Sequence, residues 1–173
     1  MNTSTKGLKV IGRGAFSTAY LLNAEQVLIR SNDNCKECMA LGWFPDSFRF
    51  PKVEQVEHGL YLMKYYPNSR SLKAQLDAEE WELYSALHEA HDIHWWPKEN
   101  EKRYRATIRT FESFPEKFKE VSILLIEACE ALMNYGDDVC FEISPRNVRA
   151  ENGKLIFLDV FFFSSQLAKA RGF

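Results

Sequence analysis

Cys140-Phe141-Glu142-Ile143-Ser144-Pro145-Arg146-Asn147-Val148, followed by Ile156-Phe157-Leu158-Asp159-Val160-Phe161, is the stretch on which the reading of this chain turns. Cys140–Ile143 and Lys154–Leu158 are apolar runs of strand length, and residues 144 to 153 form the loops around them. Glu142 and Asn147 stand five residues apart, and Asp159 follows twelve residues after the asparagine, at a strand end. Taken alone, Glu142 also reads as a solvated carboxylate on a loop.

Upstream, Glu116 to Tyr135 places Val121, Leu124, Leu125, Ala128, Leu132 and Met133 three or four apart, a long amphipathic helix that Gly136-Asp137-Asp138 ends. Ala78 to His91 is a second helix, and Ser71 caps a short one over Leu72–Leu76. Pro97 to Arg105 reads as a charged connection between them. The first half is different. Leu8–Ile11, Thr18–Leu22 and Gln26–Arg30 are three short strands of a meander, and Asn32-Asp33-Asn34 offers caps for a helix from Cys35 to Phe44. Lys52–Glu57 and Leu60–Tyr66 add two strands around the His58-Gly59 turn. Between the first two strands lies Gly12-Arg13-Gly14-Ala15-Phe16-Ser17-Thr18-Ala19-Tyr20, a hairpin whose glycines let backbone amides approach a phosphate and whose Phe16 caps the tip. An ordinary hairpin turn accounts for it as well when it is read alone.

Three motifs in one order carry a resemblance to protein kinases. The hairpin, with strands on both sides and no Gly-Lys-Ser/Thr after it, is similar to G-x-G-x-F-G-x-V-Y, with Ser17 at the third glycine and Ala19 at the valine. Leu60 to Leu72 looks like the fifth strand, hinge and following helix. The 140–161 stretch resembles the H-R-D-L-K-P-x-N loop and the D-F-G aspartate. The nearest likeness is to the minimal serine/threonine protein kinases of short-tailed bacteriophages, whose hairpin also carries serine for the third glycine. The fold so implied is α+β: a minimal two-lobe kinase-like fold, with an antiparallel sheet and one helix over residues 1–66 and a truncated, mainly helical lobe over 67–173.

The resemblance also implies roles. Gly12, Gly14, Phe16 and Ser17 would lie over nucleotide phosphates, Met63 would be the gatekeeper, and the backbone of Lys64, Tyr65 and Tyr66 would meet the adenine edge. Arg30 would take the place of the phosphate-pairing lysine, with Glu37 as its orienting carboxylate. Asn147 and Asp159 would supply oxygen ligands to Mg²⁺, a hard cation, and Glu142 would accept or orient the proton of the attacking hydroxyl. ATP and Mg²⁺ are then the expected cofactors and a host protein the expected partner, in the cytoplasm of an infected cell. Departures open a second reading. Arginine for lysine, glutamate for aspartate, Cys140 for histidine and Val160-Phe161 for Phe-Gly weaken the motifs. Only fourteen residues follow Asp159, so no A-P-E element is expected. A kinase-shaped protein that occupies a host protein without catalysis fits these departures.

Composition narrows the classes. The 173 residues are 46% hydrophobic, enough for one compact domain or two small lobes, and a net charge of −2 offers no field for nucleic acid. No apolar run approaches the roughly 20 residues of a membrane span, and Met1–Lys6 lacks the apolar core of a signal peptide. Cys35-x-x-Cys38 has no second pair to complete a zinc site, and reads as two thiols on successive helical turns. His88, His91 and His94 read as a helix end rather than a metal set. Trp95-Trp96 belongs to a core or to a partner surface, Phe161–Phe163 packs a strand end against the long helix or forms an exposed patch, and the tail from Gln166 is a short basic helix or a frayed end.

Overall fold

The computed structural model describes residues 5–68, 71–94, 97–98 and 101–172. Five antiparallel strands open the chain: β1 Lys9–Arg13, β2 Ser17–Leu21, β3 Gln26–Ser31, β4 Val53–Glu57 and β5 Leu60–Lys64, in the spatial order β1-β2-β3-β5-β4. Helix α1, Asn34–Ala40, lies between β3 and β4 in sequence, and Asp33 caps it by accepting from the Cys35 amide at 2.9 Å. It ends earlier than the expected Phe44, because Gly42 turns left-handed at φ 73° just beyond its cap.

Helices then dominate: α2 Ala78–His94, α3 Arg103–Glu112, a single 3₁₀ turn at Glu116–Phe118, and α4 Lys119–Leu132. Two ribbons follow, β6 Val139–Phe141 paired with β9 Phe161–Phe163, and β7 Val148–Glu151 paired with β8 Lys154–Phe157, before α5 Ser164–Ala170. This is the minimal two-lobe kinase-like fold, with its strand-rich half first and its helical half second.

Four local expectations need correcting. Helix α3 occupies part of the supposed charged connection, because Ala106, Ile108 and Phe111 are buried on one side while arginines fill much of the rest of its surface. Strand β7 lies inside the supposed loop, where Arg149 pairs with Ile156. The Ser71 hydroxyl does accept from the Ala74 amide, yet residues 72–76 form only a turn, since Leu76 bridges Gly153 instead of continuing helically. Phe161–Phe163 is itself a strand, with Phe161 and Phe163 buried. Trp95, Trp96 and the side chain of His94 lie outside the described residues.

The main core runs through both halves. Cys35, Cys38 and Met39 of α1 join Phe111, Leu125, Leu132, Phe141, Phe157 and Phe161 in one buried cluster. Phe111 sits edge-on to Phe141 with centroids 4.9 Å apart, a favoured aromatic geometry. All four cysteines are buried, and burial pushes the Cys38 and Cys129 thiols up to about 12, so they pack as small apolar groups. A buried ion pair ties the halves together. Arg49, between α1 and β4, holds Glu80 of α2 bidentately at 2.8 Å through both terminal nitrogens and also donates to the Leu155 carbonyl.

Candidate active site

The floor of the cleft is built by main-chain bonds. Both the Leu158 and Asp159 amides donate to the Asn147 carbonyl, at 2.9 and 3.1 Å, and the Glu142 amide donates to the Val160 carbonyl at 2.9 Å. The Asn147 amide closes a tight turn onto the Ser144 carbonyl at 3.0 Å, and its side-chain nitrogen leans toward the Glu142 carbonyl at 3.5 Å. The three residues singled out by the motif resemblance thus share one stitched rim. Glu142 is exposed, and the Asp159 side chain is 41% exposed.

The roof is the inner face of the five-stranded sheet. Val27, Ile29 and Met63 are buried together, and Ala19, Leu21, Tyr65 and Leu158 pack against them. Leu158 precedes Asp159, so roof and floor meet next to the carboxylate. The hairpin tip is tied down by the Gly14 amide on the Ser17 carbonyl at 2.8 Å and by the Asn32 amide on the Phe16 carbonyl at 3.3 Å. Gly12 and Gly14 have ordinary backbone angles; a Cβ on Gly14 would meet nothing within 4 Å, and one on Gly12 only the Ala19 Cβ at 3.9 Å. What their missing side chains leave is open space for an approaching group. Phe16 is half-buried at the tip.

Two of the expected residues are not brought into this arrangement as anticipated. Side chains alternate along a strand, so Arg30 faces away from Val27 and Ile29; it is half-exposed and pairs with Glu57 at 3.5 Å rather than with Glu37. The inward position next along β3 is Ser31, buried and joined to Ser17 hydroxyl to hydroxyl at 2.7 Å. At the hinge, the Tyr65 amide is spent on the Glu25 carbonyl at 2.7 Å and is therefore not free for a ligand.

The cation beside Asp159 comes from elsewhere. Lys36 of α1, with a side chain 5% exposed, donates to Asp159 Oδ1 at 3.0 Å and to the Leu158 carbonyl at 2.7 Å. Burial opposes its charge, but the Asp159 and Asp33 carboxylates outweigh this and hold its pKa above the usual lysine value. Asp33 is buried as well. Desolvation, then the Asp159 charge, raise its pKa to about 6 against the opposing pull of Lys36. Sequence reasoning missed Lys36 and read Asp33 only as a helix cap, which it is. The signals that could have found Lys36 were the β3 alternation, which already points Arg30 outward, and a lysine beside Cys35 and near Cys38 and Met39 on a short helix face.

A small recess, with room for about one water molecule, opens behind this pair, lined by Lys36, Asp159, Met39, Phe44, Phe50 and Phe157 among others. Elsewhere, His88 and His91 both lean on Asp92 at 3.3 Å on the surface of α2. No helix among the described residues is long and apolar enough to cross a membrane.

No protein-family model matches the chain, and no curated protein matches it significantly. Three solved structures resemble it loosely. The streptomycin–ATP–APH(2″)-IIa ternary complex shares 18% identity over 90% of this chain at a TM-score of 0.40, and ADP-bound aminoglycoside phosphotransferase APH(2″)-Ib shares 16% over 90%, also at 0.40. A GDP complex of an aminoglycoside 2′-phosphotransferase-IIIa mutant shares 15% over 99% at 0.31 and is covered over 78% of its length. The chain spans 66% of the length of each of the first two. Likeness at this level leaves the assignment of a kinase-like fold to the strand order and lobe arrangement of the chain itself.

Proposed function

We propose that this chain binds ATP with Mg²⁺ in the cleft and transfers the γ-phosphoryl group to a hydroxyl of a protein. The observation that carries this reading is the stitched rim on which Glu142, Asn147 and Asp159 stand within one hydrogen-bonded unit. The donor set fits the metal: a carboxylate and an amide oxygen are the hard ligands Mg²⁺ takes, and Asp159 retains one oxygen outside its bond to Lys36. Bound there, the metal would neutralise phosphate charge. Asn147 and Asp159 would hold it, the open glycine hairpin would lie over the phosphates, and exposed Glu142 would accept or orient the proton of the acceptor hydroxyl. The resemblance to minimal phage kinases supports a host protein as acceptor, in the cytoplasm of the infected cell.

A second reading is a kinase-shaped protein that binds a host protein without catalysis. It is favoured by β3, which turns its arginine outward and presents the cleft with Ser31 instead of a cation. Incubation with γ-labelled ATP and Mg²⁺ separates the two. Transfer by the wild type, reduced by about 10² or more in Asp159→Asn and Glu142→Ala, is the expected result. Transfer that survives both substitutions removes the assigned roles, and a wild type that neither transfers label nor gains thermal stability from ATP and Mg²⁺ leaves the binding protein.

A further inference from the structure

We propose that Lys36 of α1 is the residue that positions Asp159 for a divalent cation; the inference rests on the ATP–Mg²⁺ reading above. Lys36 grips the turn at two points, the Asp159 carboxylate at 3.0 Å and the Leu158 carbonyl at 2.7 Å. One ammonium therefore fixes both the side chain and the main chain of the segment that must present the carboxylate. This segment reads Asp159-Val160-Phe161, with Val160 and Phe161 buried, so an error in its path would move the carboxylate directly.

Lys36 is enclosed, with its stem rising from the α1 face that carries Cys35 and Met39 into the core. It acts through Asp159, which makes it a positioning residue. Its bond occupies Oδ1, so Asp159 offers the other oxygen, Oδ2, to a metal. The charged groups around it are Asp33 from the α1 cap and Asp159 from the β8 end, and the single ammonium serves both. Across the sheet, Ser31 takes the inward place on β3 and spends its hydroxyl on Ser17, so among the described residues the strand contributes no competing cation.

The test is a Mg²⁺ titration of thermal stabilisation at fixed ATP, on wild type and Lys36→Met. Groups that orient a metal ligand typically change metal affinity 10- to 100-fold when removed, so Lys36→Met should need at least about tenfold more Mg²⁺ for half of the gain. Its stabilisation by ATP in excess chelator should match that of the wild type. An unchanged Mg²⁺ requirement overturns the proposal, and a lower one overturns it by making Lys36 a competitor of the cation. If Lys36→Met does not fold, Lys36→Met/Asp33→Asn removes the carboxylate charge left buried without a partner, and the same titration decides. A wild type with no Mg²⁺-dependent gain defeats the nucleotide reading and Lys36 with it, whereas a wild-type gain that Lys36→Met shares in full defeats only Lys36.

Discussion

The glycine hairpin and the rim from Glu142 to Asp159 are built in opposite ways. Every residue of β1 is exposed, and the glycines at its turn meet almost nothing. The rim is held by five hydrogen bonds among Glu142, Ser144, Asn147, Leu158, Asp159 and Val160, then anchored by Lys36 to a core helix. Under the proposed function, a group that places charge at a fixed point would need a preorganised support, while a hairpin lying over phosphates would need backbone free to settle on them. In that reading the contrast is one between positioning and covering.

The largest effect should come from breaking the support of the rim at Arg49. Arg49→Met leaves Glu80 charged and 5% exposed without its bidentate partner, and it removes a bond to β8. A loss of about 3 kcal/mol in urea denaturation is expected, the lower end for a broken buried pair because Lys154 stays 3.5 Å from Glu80 and the Leu155 amide still donates to it. The lowered pKa of Glu80 agrees in sign: burial opposes its ionisation, but the Arg49 bonds and the Leu155 amide outweigh it.

Next in size is a pH effect from Asp33. Its folded pKa lies near 6, above the ordinary 3.8, so the folded chain holds this proton more tightly than the unfolded chain. Stability from this group is thus fully present below about pH 4 and is lost as pH rises through 6, by roughly 2–3 kcal/mol. Asp33→Asn keeps an amide oxygen for the helix cap and should flatten that slope, as followed by chemical denaturation from pH 4 to 7. A slope that persists in the variant assigns the effect to another group.

Ser31→Ala probes the seam between the two regions. Its hydroxyl joins Ser17 of the hairpin and accepts from the Asp33 amide at 3.1 Å, so its loss strands a buried donor. The expected decrease is about 1–2 kcal/mol. The smallest effect belongs to the hairpin: Gly14→Ala should change stability by less than about 0.5 kcal/mol, because the added methyl meets open space. A large loss there would mean that the hairpin is held as tightly as the rim, and the contrast would fail.

Much of this was legible along the chain. The five strands of the first half stand out as short alternating runs between turns, and Gly59 at φ 70° shows why the His58-Gly59 turn was readable. The resemblance to kinase motifs, carried by residue type and spacing together, picked out Glu142, Asn147 and Asp159. The misses have physical causes. Helix α3 is read poorly because arginines mask the spacing of Tyr104, Ile108 and Phe111, and its N-cap, Lys102, makes no side-chain bond. Strand β7 is hidden because Val148-Arg149-Ala150-Glu151 has one fully buried residue and becomes a strand only by pairing with β8.

The sequence by itself determined the strands, turns and order of the motifs, because these are set by neighbours a few residues apart, and through their resemblance to kinase motifs it pointed to the class of fold and to the three oxygen-bearing residues on the rim. The tertiary structure alone decided which basic side chain meets Asp159. Arg30 and Lys36 are six residues apart and carry the same charge, but strand alternation sends one outward to Glu57 while the helix brings the other onto Asp159, 123 positions along the chain. That choice depends on how α1 docks between the halves, and such docking is written in the whole core rather than in any local stretch.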